Sequence, residues 1–184
     1  MSPKEIVLLV ISGYGGRISG RTMLQKVCYF VGVNQADVDL DFNAHYYGPF
    51  SPTVDQALSE LKNLQLVMED KVGFGIQGGF GEMKRYDYRL TDGGRAVLRN
   101  LQARKPAQCE RVLTVVQRIR DSGDPDYVIL SVAAKSFFIL SRQKKAMTPE
   151  QIKMAAKTFD WNLQEFSVNK ALELLQRLNL VSVN

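Results

Sequence analysis

The residue types that most often catalyse reactions or bind metals are scarce in this chain. It has one histidine, His45, and two cysteines, Cys28 and Cys109. It therefore has no CxxC pair, no HExxH motif and no second imidazole, and we expect no metal site. Cys28 and His45 are the residue types of a nucleophile pair, but Cys28 occupies an apolar helical pattern, where a thiol is usually inert. The sequence predicts no catalytic residue, no cofactor and no enzyme activity, with both cysteines reduced in the core.

The remaining feature that could support a function is positive charge, because basic side chains can bind anionic ligands. This charge is concentrated in one part of the chain. Residues 71–120 contain eleven basic and four acidic side chains, whereas residues 51–70 contain one basic and four acidic. A basic surface can bind backbone phosphates in a salt-sensitive, weakly sequence-specific way. A basic face that is merely solvated is the alternative. The predicted nucleic-acid-binding residues are Lys71, Lys84, Arg85, Arg89, Arg95 and Arg99.

Four prolines, each behind a side chain that can cap a helix, mark predicted helix starts. Pro lacks an N–H group and is best tolerated at the first helical position. The pairs are Ser2-Pro3, Ser51-Pro52, Asp124-Pro125 and Thr148-Pro149, with Glu5 and Gln151 completing capping boxes. A fifth start is predicted at Thr22, with Gln25 three positions later. Together with hydrophobic periodicity, these starts predict helices near 3–13, 22–33, 52–65, 92–104, 106–122, 125–142, 149–159 and 163–179.

Between the third and fourth predicted helices the hydrophobic pattern alternates, which is typical of strands. Residues 66–72 and 85–90 are predicted to form a β-hairpin. The connection between them, 73–81, is glycine-rich without a phosphate-loop pattern, and we expect it to be a mobile wing tip. A short strand predicted at Arg17-Ile18 completes the element order of a winged helix-turn-helix. We therefore predict a mainly α fold with a small β-hairpin: a winged helix-turn-helix domain over residues 1–104 and a helical C-terminal domain over residues 105–184.

The C-terminal part contains a segment similar to the third predicted helix. Residues 54–67, VDQALSELKNLQLV, align without gaps with residues 168–181, VNKALELLQRLNLV, and seven of the fourteen positions are identical. A wingless second copy of the first domain would explain this pattern. Convergence on a helical core face followed by a strand start would explain it equally well.

Three short segments together resemble the YwgA-type winged-helix family of uncharacterised prokaryotic proteins. They are residues 20–29 (GRTMLQKVCY), 42–51 (FNAHYYGPFS) and 88–94 (YRLTDGG). A more distant likeness is to the Panacea antitoxin domain, which shares the Leu-Gln-Lys helix and the Gly-Pro turn. The resemblance implies a winged-helix fold and an association with regulation, and it implies no catalytic residue. Its motif residues here are Arg21, Gln25, Lys26, His45, Tyr47, Gly48, Pro49 and Ser51.

Most of this motif also has a structural interpretation. Apolar residues of the helix 22–33 repeat at helical spacing and should face the core. The Gly48-Pro49 pair is typical of a turn that leads into the next helix. Residues 45–47, His-Tyr-Tyr, are predicted to lie in a short strand and to pack in the core and across strands.

Two functions of different classes agree with these features. The first is a cytoplasmic, homodimeric winged-helix protein that binds double-stranded DNA, as a transcriptional regulator or an antitoxin-like component. The second is a protein-interaction module that keeps the scaffold without DNA binding and uses its basic face for an acidic protein. The net negative charge of the predicted helix 52–65, with Asp55 and Glu60, favours the second. No membrane span is expected, because the apolar runs are shorter than the roughly 20 residues that a bilayer requires.

Overall fold

The computed structural model describes residues 1–35, 38–73 and 84–182. Within these ranges the protein is mainly helical, with a small antiparallel sheet of three strands. The predicted wing tip lies almost wholly in 74–83 and is therefore outside the described residues. The elements are α1 (Pro3–Gly13), β1 (Arg17–Ser19), α2 (Arg21–Asn34), α3 (Pro52–Asn63), β2 (Val67–Gly73), β3 (Lys84–Leu90), α4 (Asp92–Arg104), α5 (Pro106–Asp121), α6 (Tyr127–Gln143), α7 (Pro149–Ala156), a short 3₁₀ helix (Lys157–Phe159) and α8 (Glu165–Arg177).

Local capping chemistry places three of the five predicted helix starts correctly. Ser2 and Thr148 each form a complete capping box before a proline, with Glu5 and Gln151 as the reciprocal partners. The Ser51 hydroxyl accepts the Val54 N–H at 2.9 Å and caps α3. These boundaries follow from side chains within four residues of the helix end, which is why the sequence predicts them.

Two predicted starts are wrong. Asp124 has a positive φ of 46°, and α6 begins after Asp126, whose carboxylate accepts the N–H groups of residues 128 and 129. Thr22 lies inside α2, which follows Gly20 at φ +87° and has no side-chain cap. The Gln25 side chain, expected to close a capping box there, bonds to a distant part of the chain instead.

The sheet has the strand order β1-β3-β2, and both neighbouring pairs are antiparallel. Its register places Arg17 opposite Arg89 and Asp70 opposite Asp87. Because successive strand residues point to opposite faces, the odd-numbered residues 85–89 of β3 face away from Tyr88, which is fully buried. The face that carries Tyr88 and Leu90 therefore packs on the core, although it also carries Glu69 and exposed Lys71, and the opposite face carries the charged residues 85, 87 and 89.

The core is built around α1. Residues 6–11 of this helix are all buried, because α2, α3, α4, α5 and the sheet pack around it. Helix α6 packs between α2 and α8 and also contacts α7. Among the described residues, no helix is long and apolar enough to span a membrane.

The repeated segments share the geometry of a helix end. In each, the residue after the C-cap takes a left-handed conformation, Gln65 at φ 55° and Asn179 at φ 57°. The next N–H then bonds back to the helix at 2.9 Å, Leu66 to the Leu61 carbonyl and Leu180 to the Leu175 carbonyl. After α3 the chain continues into β2, whereas the described residues after α8 form no strand. The repeat thus extends to backbone structure, and duplication and convergence both stay open.

Gly94, in the first turn of α4, touches the segment between α3 and β2. A Cβ atom at this position would lie 2.1 Å from the Leu66 carbonyl oxygen. The same oxygen accepts the Thr91 N–H at 3.1 Å, so it cannot move without loss of that bond. A Cβ at the adjacent Gly93 would meet only side-chain atoms, at 3.5 Å or more.

We expect Gly94→Ala to lower the free energy of unfolding by about 2–3 kcal/mol, because backbone must shift to admit the methyl group. Gly93→Ala is the matched control and should be neutral or stabilising by up to about 1 kcal/mol, since alanine favours helix. Urea denaturation of the two variants measures the difference. Equal stability of the two would contradict the close contact at Leu66.

Candidate functional site

The polar face of the sheet carries a cluster of three arginines and two aspartates. The Arg85 guanidinium donates to Asp87 through Nε at 2.6 Å and through a terminal nitrogen at 3.1 Å. Arg17 also donates to Asp87, at 3.1 Å, and lies 3.7 Å from Asp70. Arg89 donates to Asp70 at 3.1 and 3.3 Å. Two of the predicted phosphate-binding residues are thus held by carboxylates on their own sheet.

Asp87 is the centre of this cluster and is 2% exposed. Burial alone would raise the pKa of its carboxyl, but hydrogen bonds from Arg85 and Arg17 lower it. A buried carboxylate without these partners would be strongly destabilising. Arg85 therefore has a structural role that the charge count did not reveal, although the arginine side chain remains 41% exposed.

The other predicted basic residues do not all share this face. Lys71 is exposed but lies opposite Tyr86 on the other side of the sheet. Arg95 and Arg99 are exposed on α4, and the Arg95 guanidinium lies against Gly16, the residue before β1. Lys84, the first residue of β3, pairs through its backbone with Gly73 of β2. The predicted basic surface is therefore divided between the two sheet faces and α4.

The charge that helix α3 presents to solvent differs from the net negative charge expected from its sequence. Its two acidic side chains are each paired with a cation from another helix: Asp55 lies 3.5 Å from Arg21 of α2, and Glu60 accepts Lys4 of α1 at 2.7 Å. The hydrogen bond from Lys4 also lowers the pKa of the Glu60 carboxyl. No sequence spacing indicated these partners. The exposed side chains of α3 that remain are Pro52, Gln56, Ser59 and Asn63, and none of them is charged.

The motif residues of α2 attach the Gly48-Pro49 turn to the core. The Gln25 amide pairs with the backbone of Ser51, donating to its carbonyl and accepting its N–H, both at 3.0 Å. The Lys26 ammonium donates to the Pro49 carbonyl at 2.7 Å. Ser51 in turn donates its hydroxyl to the Leu40 carbonyl. The hydrogen bonds from Gln25 and Lys26 are buried and satisfy backbone groups of a segment that is neither helix nor strand.

Residues 45–47 contradict their prediction as a packed strand. They lie at the start of a turn closed by the Gly48 N–H, which donates to the His45 carbonyl at 2.9 Å. All three side chains are exposed, Tyr46 by 69% and Tyr47 by 62%. In place of a strand, a single antiparallel bridge between Asn43 and Phe50 pairs the backbone on either side of the turn.

Cys28, the other member of the considered nucleophile pair, is buried in α2. Burial raises the pKa of its thiol, which disfavours the reactive thiolate. Within the described residues no group of three or more His, Cys, Asp or Glu side chains is placed to hold a metal ion.

Lys26 is a buried cation that no carboxylate among the described residues neutralises. Its side chain is 2% exposed, and its ammonium donates to a neutral carbonyl, that of Pro49. Burial, and then repulsion from Lys135, lower the pKa of Lys26 to about 8 from its ordinary 10.5. Keeping the ammonium charged in the folded protein therefore costs about 3 kcal/mol at neutral pH.

This pKa predicts an unusual pH dependence of stability. Between about pH 8 and 10.5 the unfolded chain keeps a proton that folded Lys26 has released, so the free energy of unfolding rises with pH in this window. Relative to Lys26→Met, the wild type should gain about 2 kcal/mol between pH 7 and pH 9.5. Urea titrations of both proteins at the two pH values measure this change. Lys144→Met, at an exposed lysine, keeps Lys26 and is the control, so relative to Lys26→Met it should gain as the wild type does. A constant difference between wild type and Lys26→Met would refute the shifted pKa.

A comparison with known proteins finds the chain 32% identical, over 98 residues, to the uncharacterised protein YwgA of Bacillus subtilis strain 168. The match covers 53% of this chain and 55% of YwgA, so the chain spans about half the length of the curated relative it matches. No family model matches the chain. The likeness supports the YwgA-type resemblance seen in the motif residues, whereas the likeness to the Panacea antitoxin domain stays a prediction.

Proposed function

We propose that the protein binds duplex nucleic acid through α3 and the neighbouring basic side chains, as a regulator or an antitoxin-like component. In this proposal residues 1–104 are a winged helix and residues 105–184 a helical domain that serves assembly as a homodimer. The order helix, strand, helix, helix and hairpin supports the winged helix. The connection between α2 and α3, residues 35–51, is much longer than the turn of roughly three to four residues in a simple helix-turn-helix.

The observation that carries the proposal is the neutral outer face of α3. Because Arg21 and Lys4 pair with its two carboxylates, the helix does not present the net negative charge that its sequence suggested. Its exposed Gln56, Ser59 and Asn63 offer amide and hydroxyl groups. Amide side chains can pair with the adenine edge in the major groove, and hydroxyls with either partner of a base pair. The face is thus suited to base contacts.

Phosphate contacts would come from exposed cations outside the Asp87 cluster. Lys71 on the sheet and Arg95 and Arg99 on α4 meet this description. Arg95 lies 3.8 Å from the Asp92 carboxylate, in a solvent-exposed pair that contributes little. Arg89 keeps 41% of its side-chain surface exposed and could add a contact if Asp70 did not hold it, whereas Arg17 is also held by Asp87. The resulting affinity would be modest and would fall steeply with salt.

The test is a fluorescence-anisotropy titration of a labelled random duplex at two salt concentrations. Combined replacement of Lys71, Arg95 and Arg99 by glutamine should weaken binding and make the logarithmic salt slope shallower by roughly one unit for each lost phosphate contact. The matched control replaces Lys144, Lys145 and Lys157 by glutamine. It has the same net charge, so equal losses in both triple variants would mean that binding reflects overall charge and would contradict the assigned surface.

A gain-of-binding variant tests the sheet face separately. Asp70→Asn removes the carboxylate between Arg17 and Arg89, and we expect it to tighten duplex binding if that face contacts phosphates. Arg85 is unsuitable for charge reversal, because its loss would leave the buried Asp87 with one partner fewer. No duplex affinity of the wild type at low salt would refute the proposal and favour the protein-interaction module.

A further inference from the structure

The turn of residues 45–47 presents three ring side chains to solvent. The Tyr46 and Tyr47 rings pack edge to face with centroids 4.9 Å apart, and the His45 ring lies 6.3 Å from Tyr47 and 5.2 Å from Phe50. Large, highly exposed aromatic side chains standing together are uncommon on a monomer surface and often mark interaction sites. Tyrosine is also enriched among the residues that dominate binding energy at protein interfaces.

This turn is held from several directions, unlike most exposed loops. The backbones of Asn43 and Phe50 exchange two hydrogen bonds of 2.9 Å at its base. The indole N–H of Trp161, just before α8, donates to the His45 carbonyl at 2.7 Å. Lys26 holds the Pro49 carbonyl from the core side, as described above. The aromatic side chains are therefore presented on a preorganised backbone, which reduces the entropy lost on binding.

Two ammonium groups without a carboxylate partner among the described residues lie directly beneath the turn. One is Lys26. The other belongs to Lys135 of α6, whose alkyl chain is so close to Gly48 that a Cβ there would lie 2.9 Å from its Cγ. The Lys135 ammonium is 5.5 Å from the centre of the Trp161 ring, and the side chain is partly exposed. Burial lowers the pKa of both lysines, as expected for cations that lack a counter-ion.

We propose that the His45–Tyr47 turn is a docking site for an acidic segment of a partner protein, with a partner carboxylate paired to Lys135. Charge complementarity defines the occupant: the aromatic side chains cover apolar groups of the segment, and its carboxylate supplies the counter-ion that Lys135 lacks. Lys26 is too buried to touch the partner and acts as a positioning residue for the turn. This site is independent of the proposed duplex binding.

A single-stranded nucleic acid is a less suitable occupant. Such ligands bind grooves in which several cations follow the backbone and open aromatic faces stack on successive bases. Among the described residues Lys135 is the lysine accessible beside the turn, and the two tyrosines pack against each other at an interplanar angle of 89° rather than leaving both faces open.

The experiment is selection of binders from a displayed library of random peptides by the full chain, followed by anisotropy titration of the enriched peptides. We expect peptides that combine Asp or Glu with apolar residues. Tyr47→Ala and Lys135→Met should each weaken these peptides at least tenfold, and replacing the peptide acids by their amides should remove the effect of Lys135→Met. Tyr127→Ala and Lys144→Met are the matched controls. Tyr127 is an exposed tyrosine at the start of α6 and Lys144 an exposed lysine just after its end, about 12 and 14 Å along the helix axis from Lys135.

Three results would overturn the proposal. They are the absence of enriched peptides, enriched peptides without acidic residues, and enriched peptides that bind Tyr47→Ala and Lys135→Met as well as they bind the controls. Circular dichroism of each variant verifies its fold before the titrations. Labelled oligothymidine provides the last arm, because binding of that strand that depends on Tyr46 and Tyr47 would identify a nucleic acid as the occupant instead.

Discussion

The hydrogen bonds between α2 and the Gly48-Pro49 turn are the interaction on which the candidate surfaces depend. Gln25 satisfies both backbone groups of Ser51, and the Ser51 hydroxyl caps α3. The start of α3 is therefore attached to α2 as well as to the Leu40 carbonyl of the preceding loop. Lys26 attaches the preceding residues of the turn in the same way. A single two-residue motif on one helix thus positions both α3 and the exposed aromatic turn.

The use of lysine at this position has an energetic cost. A buried ammonium that donates to a neutral carbonyl is less stable than the same group in water, and an apolar residue of similar size would avoid that cost. The chain nevertheless has a lysine, Lys26, at this position. Its charge adds to that of Lys135 beneath the exposed aromatic side chains of residues 45–47. Local stability and a function in recognition therefore favour different residues here, as they often do at binding sites.

Ion pairs have different roles on the two surfaces of the first 104 residues. On α3 they are partly exposed, so they contribute little to stability, but they cancel the negative charge of a helix that would otherwise repel phosphates. On the sheet they neutralise a carboxylate that is almost fully buried, so loss of a partner would be strongly destabilising. Exposure of a charged side chain therefore does not show whether the fold requires it, because Arg17 and Arg85 keep much of their surface exposed and still neutralise buried Asp87.

The sequence by itself determined the features that depend on neighbours within one or two turns. The capping boxes at Ser2 and Thr148, the hairpin of β2 and β3 and the helical majority follow from local hydrogen bonding and hydrophobic period. Only the tertiary structure decided what each polar side chain does. Gln25 bonds to Ser51 rather than capping α2, Asp55 and Glu60 are paired through α2 and α1, and residues 45–47 point to solvent rather than into the core. The physical reason is that a cap forms between residues close in the chain, whereas a charge or an amide acquires its partner from whichever element packs beside it, and sequence spacing does not encode that partner.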